Sequence, residues 1–504
     1  MNSLHISVIV LTLSSLLFVE IMFIVLPPAD NSFDVYVKYN ALNILLKCLD
    51  GQINFYRFIF FEKKMSSQLL DKIDKKILRL AYPIILANIS IPLLGLTDTA
   101  VIGHLGALDI LAGISMGAVL MGSIYWFFGF LRMGVTGLVA QARGANEKVE
   151  ISSILLRGLF IAVIGGIALI MVHSFLFSSI FYFLLGDIGA EKLAMEYMSI
   201  RVLTAPFAIS IFVFVGWLFG MGKTFHSLCL LAVVNVLNIL LDIIFVKFLH
   251  LGIAGVAYAT IVSEFCGFCL GVYLSREFLL DKESIKVRGI FLSNKWKLFI
   301  LLNINIVIRS ILLQSVFLSY LIFGTLFGSE ILAANHILLQ IIFLSAYALD
   351  GIAFSSEILV GEAIGQRRQE LFKKVVKSAL KLGFILSSII GVCFYFLGFL
   401  VVDLMTSINS VRLICYDFLI WISIMPIVSV FSYVYDGIFL GAARGKEIRV
   451  AMIQSFAIFC ICVTVFVPLM GNTGLWTSIV IFNATRAITL WTKIERVQSS
   501  FSSN

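Results

Sequence analysis

The chain has 504 residues, of which 60% are hydrophobic and 13% charged, with a formal net charge of +8. A soluble domain carries about twice that share of charged residues, so the composition excludes one. The Lys and Arg residues sit in short stretches between apolar runs, where they set membrane topology and meet anionic lipid rather than nucleic acid.

Apolar runs of about 20 residues, each long enough to cross the hydrocarbon of a bilayer, recur through most of the chain. The alternating segments of roughly 10 residues that mark a β-barrel are missing. The reading is an all-α polytopic membrane protein.

Residues 1–64 stand apart. Leu4 to Leu26 is apolar enough for a helix, interrupted by Glu20 and closed by Pro27-Pro28. A mixed stretch then leads to Met65 and "SSQLLDKIDKKILRLAYP". Two readings stay open: an extra helix or uncleaved anchor, or a translated leader ahead of a start at Met65. A cleaved signal peptide fits less well, because the first residues lack Lys and Arg.

Twelve apolar segments follow, at 77–103, 109–142, 151–185, 192–221, 225–249, 253–276, 296–326, 331–364, 371–405, 410–442, 447–468 and 472–493. The longest polar connection, Ser275 to Lys297, separates them into six and six. This gives a short segment 65–76, a first lobe 77–276, a linker 277–295, a second lobe 296–493 and a tail 494–504. Connections after even segments hold Arg143, Lys148, Lys223, Arg276, Arg367, Arg368, Arg444 and Lys446, among others; those after odd segments offer only Lys192, Lys247 and Arg412. Basic connections face the cytoplasm, so both ends of the twelve-segment core are expected there, in a multi-pass protein of the inner (plasma) membrane.

The two halves resemble each other. A slide of 221 residues brings "DILAG" (109–113) onto "EILAA" (330–334), "QARGA" (141–145) onto "EAIGQ" (362–366) and Gly220 onto Gly441. Six is even, so the copies share one orientation, related by an axis along the membrane normal. The same slide sets Asp98 against Ser319 and Asp242 against Val463. These carboxylates therefore belong to one half only, and a fixture needed by both halves would have been kept in both.

Charges inside the segments carry the functional signal. Asp98, Asp242, Asp350, Glu357 and Asp436, with Arg132, Arg201 and Arg309, fall within apolar runs. Each costs about 2.5–3.5 kcal/mol near a helix centre, a penalty relieved by a proton, a cation, an opposite charge or a water-filled cavity. Asn235, Asn238 and Asp242 recur at i, i+3 and i+7 on one helix face, which should look into the bundle. Pro83 and Pro92 can bend the first segment near Asp98. Arg201, five residues after Glu196, reads as half of a structural ion pair. A secondary polar set comprises Asn235, Arg309, Asp350, Glu357 and Asp436. Cys266-Gly-Phe-Cys269 has no second Cys pair and reads as small apolar helix residues. Nucleotide-binding, serine-hydrolase and zinc-protease motifs are missing, so no enzyme is expected.

The stretches "LTDTAVIGHLG" (96–106), "FLRMGVTGLVAQARGA" (130–145), "VNVLNILLDIIFV" (234–246), "GIAGVAYATIVSE" (252–264), "AYALDGIAFSSEILVGEAIG" (346–365) and "YDGIFLGAARGKEIR" (435–449) resemble the multidrug and toxic compound extrusion (MATE) transporters, the DinF-type branch most. The resemblance covers residues 70–495 and implies twelve transmembrane helices in two pseudo-symmetric six-helix bundles around a cavity. It implies efflux of lipophilic, often cationic, small molecules by cation antiport, with H+ the first candidate and Na+ at Asp98 and Asp242 the other. The coupling set it implies is Asp98, Asn238, Asp242 and Thr260, with Asp350, Glu357 and Asp436 as second-half acids. No cofactor beyond the coupling ion is implied, and a monomer in the bilayer is expected. The alternatives are a flippase for a lipid-linked saccharide or other amphipathic lipid, and a non-transporting membrane scaffold.

Overall fold

The computed structural model describes residues 71–103, 108–183, 188–279, 293–499 and 501. Residues 1–64 and most of the linker expected at 277–295 lie outside that set. So do the side chains of 91–103 and 108–112, Pro92 and Asp98 among them.

The described residues form twelve helical stretches where the apolar segments lie: α1 (Lys72–Gly103), α2 (Leu108–Phe127 and Phe130–Gly144), α3 (Lys148–Phe183), α4 (Ile188–Arg201, a short 3-10 turn Val202–Thr204, and Ala205–Gly220), α5 (Thr224–Asp242, continued by a π-helical turn Ile243–Phe248), α6 (Gly252–Leu279), α7 (Ser293–Phe327), α8 (Ser329–Gly365), α9 (Gln369–Met405), α10 (Asn409–Asp417 and Leu419–Gly441), α11 (Gly445–Met470) and α12 (Asn472–Trp491), then a short α13 (Ile494–Ser499). Among the described residues ten helices are long and apolar enough to cross a membrane by length and composition, and α1 and α12 are the two stretches not among them. Helices are the expected solution, because lipid offers no partners to backbone N–H and C=O groups and each segment must satisfy its own. Large apolar side chains such as Phe175, Met171, Leu326 and Leu469 point outward, 73% to 80% exposed, as a lipid-facing surface requires.

Two cores organise the interior. One gathers Leu131, Leu155, Phe214, Trp217, Leu230 and Val256; the other gathers Ile306, Leu338, Phe372, Val430, Met452 and Trp476. The boundary is shared. From α1, Ile77, Ala81 and Ile85 enter the second core and Ile84 the first; from α8, Ala353, Phe354 and Ile358 enter the first. Helix α1, counted with the first lobe by sequence, thus packs on both.

The 221-residue repeat is visible in the backbone. Non-glycine or glycine residues of positive φ pair off at that spacing: Asn146 with Arg367, Gly222 with Ala443, and His250 with Gly471. The hydrogen bonds closing α2 and α8 repeat as well, Glu147 N–H to Ala142 and Arg368 N–H to Ala363, both 2.9 Å. Those closing α4 and α10 run from Lys223 N–H to Leu218 at 2.8 Å and from Arg444 N–H to Phe439 at 2.9 Å.

Where α2 meets α8 the contact is reciprocal. A Cβ on Gly144 would come within 2.4 Å of the Glu362 carbonyl, and one on Gly365 within 2.0 Å of the Gln141 carbonyl. Gly361 lies against Ala140, its own counterpart. Two helices can approach this closely only over small residues. The pseudo-twofold axis therefore passes between α2 and α8 near their basic ends.

Candidate functional site

In the first half, Asn238 and Asp242 of α5 are buried, and Asn238 Nδ2 donates to Thr260 Oγ1 of α6 at 3.1 Å. Thr260 is buried in turn and also donates to the Val256 carbonyl at 3.1 Å. The expected inward face of α5 is thus present, and it brings three of the four implied coupling residues together. Asp242 closes the α-helical part of α5 and the π-helical turn begins at the next residue; such turns widen the backbone and recur at functional positions.

Asn235 lies in this half, apart from the Arg309, Asp350, Glu357 and Asp436 of the expected polar set. Its Nδ2 donates to Ser90 Oγ of α1 at 2.9 Å and to the Ser90 carbonyl at 3.3 Å. From that contact, seven residues lead up α5 to Asp242 and eight up α1 to Asp98, about 10 and 12 Å at 1.5 Å per residue. The helices run in the same direction, both being odd in a serial array, so the two positions share a register. The α1 helix continues unbroken through buried Pro83 and through Pro92.

Arg201 pairs with Glu264 of α6, Nη2 to Oε1 at 3.7 Å, not with Glu196, which is exposed. Five residues advance a helix by 500°, which turns Glu196 away from Arg201. Thr204 Oγ1 donates to the other Glu264 oxygen at 2.6 Å, and Arg201 Nη1 donates to the Tyr197 hydroxyl at 3.0 Å.

The second half holds a larger charge cluster. Asp436 of α10 accepts from Arg309 Nη2 of α7 at 2.6 Å and from Arg486 Nη2 of α12, all three being buried. Asp350, Phe354 and Glu357 follow at i, i+4 and i+7 along one face of α8. Arg132, on α2 of the other half, lies over Phe354 with its guanidinium carbon 4.0 Å from the ring centre. Glu357 is 1% exposed, and neither carboxylate oxygen meets a hydrogen-bond donor in good geometry. The Gly137 backbone is near, but its N–H is directed along its own helix. Of the expected polar set Asn235, Arg309, Asp350, Glu357 and Asp436, the last four are thus gathered in the second half and Asn235 is not. Sequence reading passed over Arg486 and Glu264, although each is a charge inside an apolar run, the same signal that marked the others.

Elsewhere the two halves are joined by ion pairs at their basic ends. Glu362 of α8 receives Arg143 of α2 at 2.7 Å and Lys76 of α1 at 3.1 Å, and Gln141 of α2 donates to the Gly441 carbonyl of α10 at 2.7 Å. Lys381 of α9 pairs with buried Asp74 at the start of α1.

A family model named MatE matches residues 83–244 and again 306–466, once in each half. The chain belongs to the MatE family. MatE proteins are membrane transporters and not enzymes. DNA damage-inducible protein F of Escherichia coli is 34% identical over 424 residues, covering 83% of this chain and 91% of that protein. A probable multidrug resistance protein NorM of Thermotoga maritima is 26% identical over 353 residues, covering 67% and 74%. Among solved structures, a MATE protein in its bent conformation superposes with a TM-score of 0.77 at 21% identity, covering 86% of this chain and 98% of that one. A transporter of the MOP superfamily from Pyrococcus furiosus gives 0.75 at 22%, covering 86% and 97%. These likenesses fix the MatE fold, with its two six-helix halves, for this chain.

Proposed function

We propose that this MatE protein is a secondary multidrug exporter that moves lipophilic, cationic small molecules outward by antiport against a cation, H+ before Na+. The observation that carries the reading is buried Asp242, set beside Asn238 and Thr260 on the α5 face that meets α1, in register with Asp98. Neither carboxylate has a counterpart in the other half. Asp242 on α5, with Asp98 at the matching level of the proline-bearing α1, is the pair on which a cation and a cationic substrate would compete. The relatives named for multidrug resistance support the substrate class.

In this reading the basic ends of the helices face the cytoplasm, with both ends of the core, in the inner membrane. The α2–α8 contact and its ion pairs then close the cytoplasmic side, and alternating access requires that they part. Proton entry at Asp98 and Asp242 neutralises the site, α1 rearranges and the drug leaves outward; proton loss inward restores drug affinity. A membrane potential of 100 mV contributes about 2.3 kcal/mol per charge moved inward.

The flippase alternative requires a cavity lined by net positive charge. Here Arg132, Arg309 and Arg486 are matched in number by Asp350, Glu357 and Asp436, so the cluster offers no surplus of basic residues for a pyrophosphate. The test is ethidium efflux from proteoliposomes under an imposed pH or sodium gradient. Wild type should respond to the pH gradient, and Asp98→Asn and Asp242→Asn should each lose that response. Efflux by Asp98→Asn at the wild-type rate would remove Asp98 from the mechanism.

A further inference from the structure

We propose that Glu357 is a second proton-carrying carboxyl of this transporter, and that Arg132 reads its charge across the boundary between the halves. The inference rests on the proton-antiport reading and adds a second, inner proton site to it.

The internal repeat provides the control. A Cβ on Gly216 would meet the Arg132 carbonyl and one on Gly437 the Ala353 carbonyl; likewise Gly220 meets the Thr136 carbonyl and Gly441 the Glu357 carbonyl. Every pair is 221 residues apart, so α2 packs on α4 as α8 packs on α10. Glu357 therefore stands where Thr136 stands in the first half. Thr136 is fully satisfied: its hydroxyl donates to the Arg132 carbonyl at 2.8 Å or the Gly216 carbonyl at 3.1 Å. A hydroxyl is thus sufficient for the packing at this position. Glu357 instead buries two oxygens without a donor. An ionised carboxylate so placed is costly, and a proton removes the cost.

Of the two cluster acids not clamped by arginine, Asp350 and Glu357, Glu357 is the more deeply buried. Asp436, with Tyr433 on the same α10, faces the cluster, but Asp436 is held by Arg309 from α7 and Arg486 from α12. From α8 itself comes Asp350. Helix α1 presents apolar Ala81 and Ile85 to α8 at Gly351, and α9 meets α8 at Ile352 through Gly383. Arg132 is the charge supplied by α2. It rests on Phe354, one turn from Glu357, so rotation of its long side chain exchanges the ring for the carboxylate. In the proposal, Arg132 stays on the ring, where this structure has it, while Glu357 is neutral. With Glu357 ionised, an Arg132–Glu357 ion pair joins the two halves.

Glu357 is eight residues from the basic end of α8, about 12 Å, whereas Asp98 is five residues from the opposite end of α1, about 7.5 Å. The two carboxyls serve opposite sides of the membrane, one for entry and one for release.

The test uses the full chain in lipid nanodiscs with ethidium as probe. Infrared difference spectra between alkaline and acidic buffer should contain a protonated-carboxyl band that Glu357→Gln loses and Glu357→Asp keeps. Arg132→Gln should move the pH midpoint of that band. Fewer protons should be released per ethidium bound in Glu357→Gln than in wild type. An unchanged band and unchanged proton release in Glu357→Gln overturn the proposal; so does a midpoint unmoved by Arg132→Gln, which also decides the matter if Glu357→Gln does not fold. Failure of the antiport reading is separate: wild-type proteoliposomes would then show no efflux driven by a pH gradient, whatever the infrared band does.

Discussion

Glu362 on α8 holds Arg143 on α2 at 2.7 Å and so ties one half of the transporter to the other beside their shared axis. Lys76 joins the same carboxylate from α1, so three helices share one anion, and in the proposed antiport cycle these helices separate to open this side. Glu362→Gln should weaken the closed form by about 0.5–1 kcal/mol, the scale of a partly exposed ion pair, or roughly two- to fivefold in the closed-to-open ratio. Spin labels on the equivalent positions Glu147 and Arg368, with the exposed native cysteines replaced, would report a longer-distance population that wild type shows weakly.

Asp436 is predicted to be structural before it is anything else. Asp436→Asn strands two buried guanidinium groups and should cost about 3–5 kcal/mol, the usual result of removing one partner from a buried ionic set. The variant should fail to accumulate in the membrane. Arg486→Met leaves Arg309 on the carboxylate and should be tolerated better, as judged by the yield of monodisperse protein in size-exclusion chromatography.

The repeat also compares two turn residues directly. Ala443 adopts φ +53° where its counterpart Gly222 adopts +71°. A left-handed alanine is strained, and Ala443→Gly should gain about 0.5–1 kcal/mol after the extra entropy of the unfolded chain is counted. Gly222→Ala should lose more than that, because its Cβ would lie 2.3 Å from an Arg143 guanidinium nitrogen and disturb the pair with Glu362. Thermal unfolding in detergent should rank the variants in that order.

Asp74 gives a dependence on pH. Burial pushes its carboxyl up, but hydrogen bonds from Lys381, Ser378 and the Asp71 N–H outweigh it and hold the group below the ordinary carboxylate value of 3.8. A depressed folded-state value stabilises the fold above the unfolded-state value, and the gain is lost as pH falls through the folded one. Asp74→Asn should therefore unfold at a lower temperature than wild type at neutral pH, with the gap closing below about pH 4. A gap that persists in acid would assign the effect to packing.

The spans of the helices were legible because lipid allows one backbone solution, and a run such as 371–405 can satisfy itself only as a helix. The 221-residue slide was legible because close helix contacts such as those at Gly220 and Gly441 demand the same small residue in both halves. The stripe Asn235, Asn238 and Asp242 followed from helical periodicity. Partners were not legible. Arg201 meets Glu264, 63 residues further on, and Asp436 is clamped by arginines from α7 and α12. Those pairings depend on which helices become neighbours, and apolar runs of similar composition do not encode that. The division of α1 between the two cores was hidden for the same reason, since Ile84 and Ile85 are alike in sequence and face opposite halves.

The reciprocal crossing of α2 and α8 has the geometry of an isologous dimer interface, here made within one polypeptide. In a dimer of identical chains, any substitution appears twice, and a glutamate in place of Thr136 would enter both subunits. Fusion lifts that constraint. One polypeptide can keep a hydroxyl at 136 and a carboxyl at 357, and so combine a symmetric crossing with an asymmetric charge.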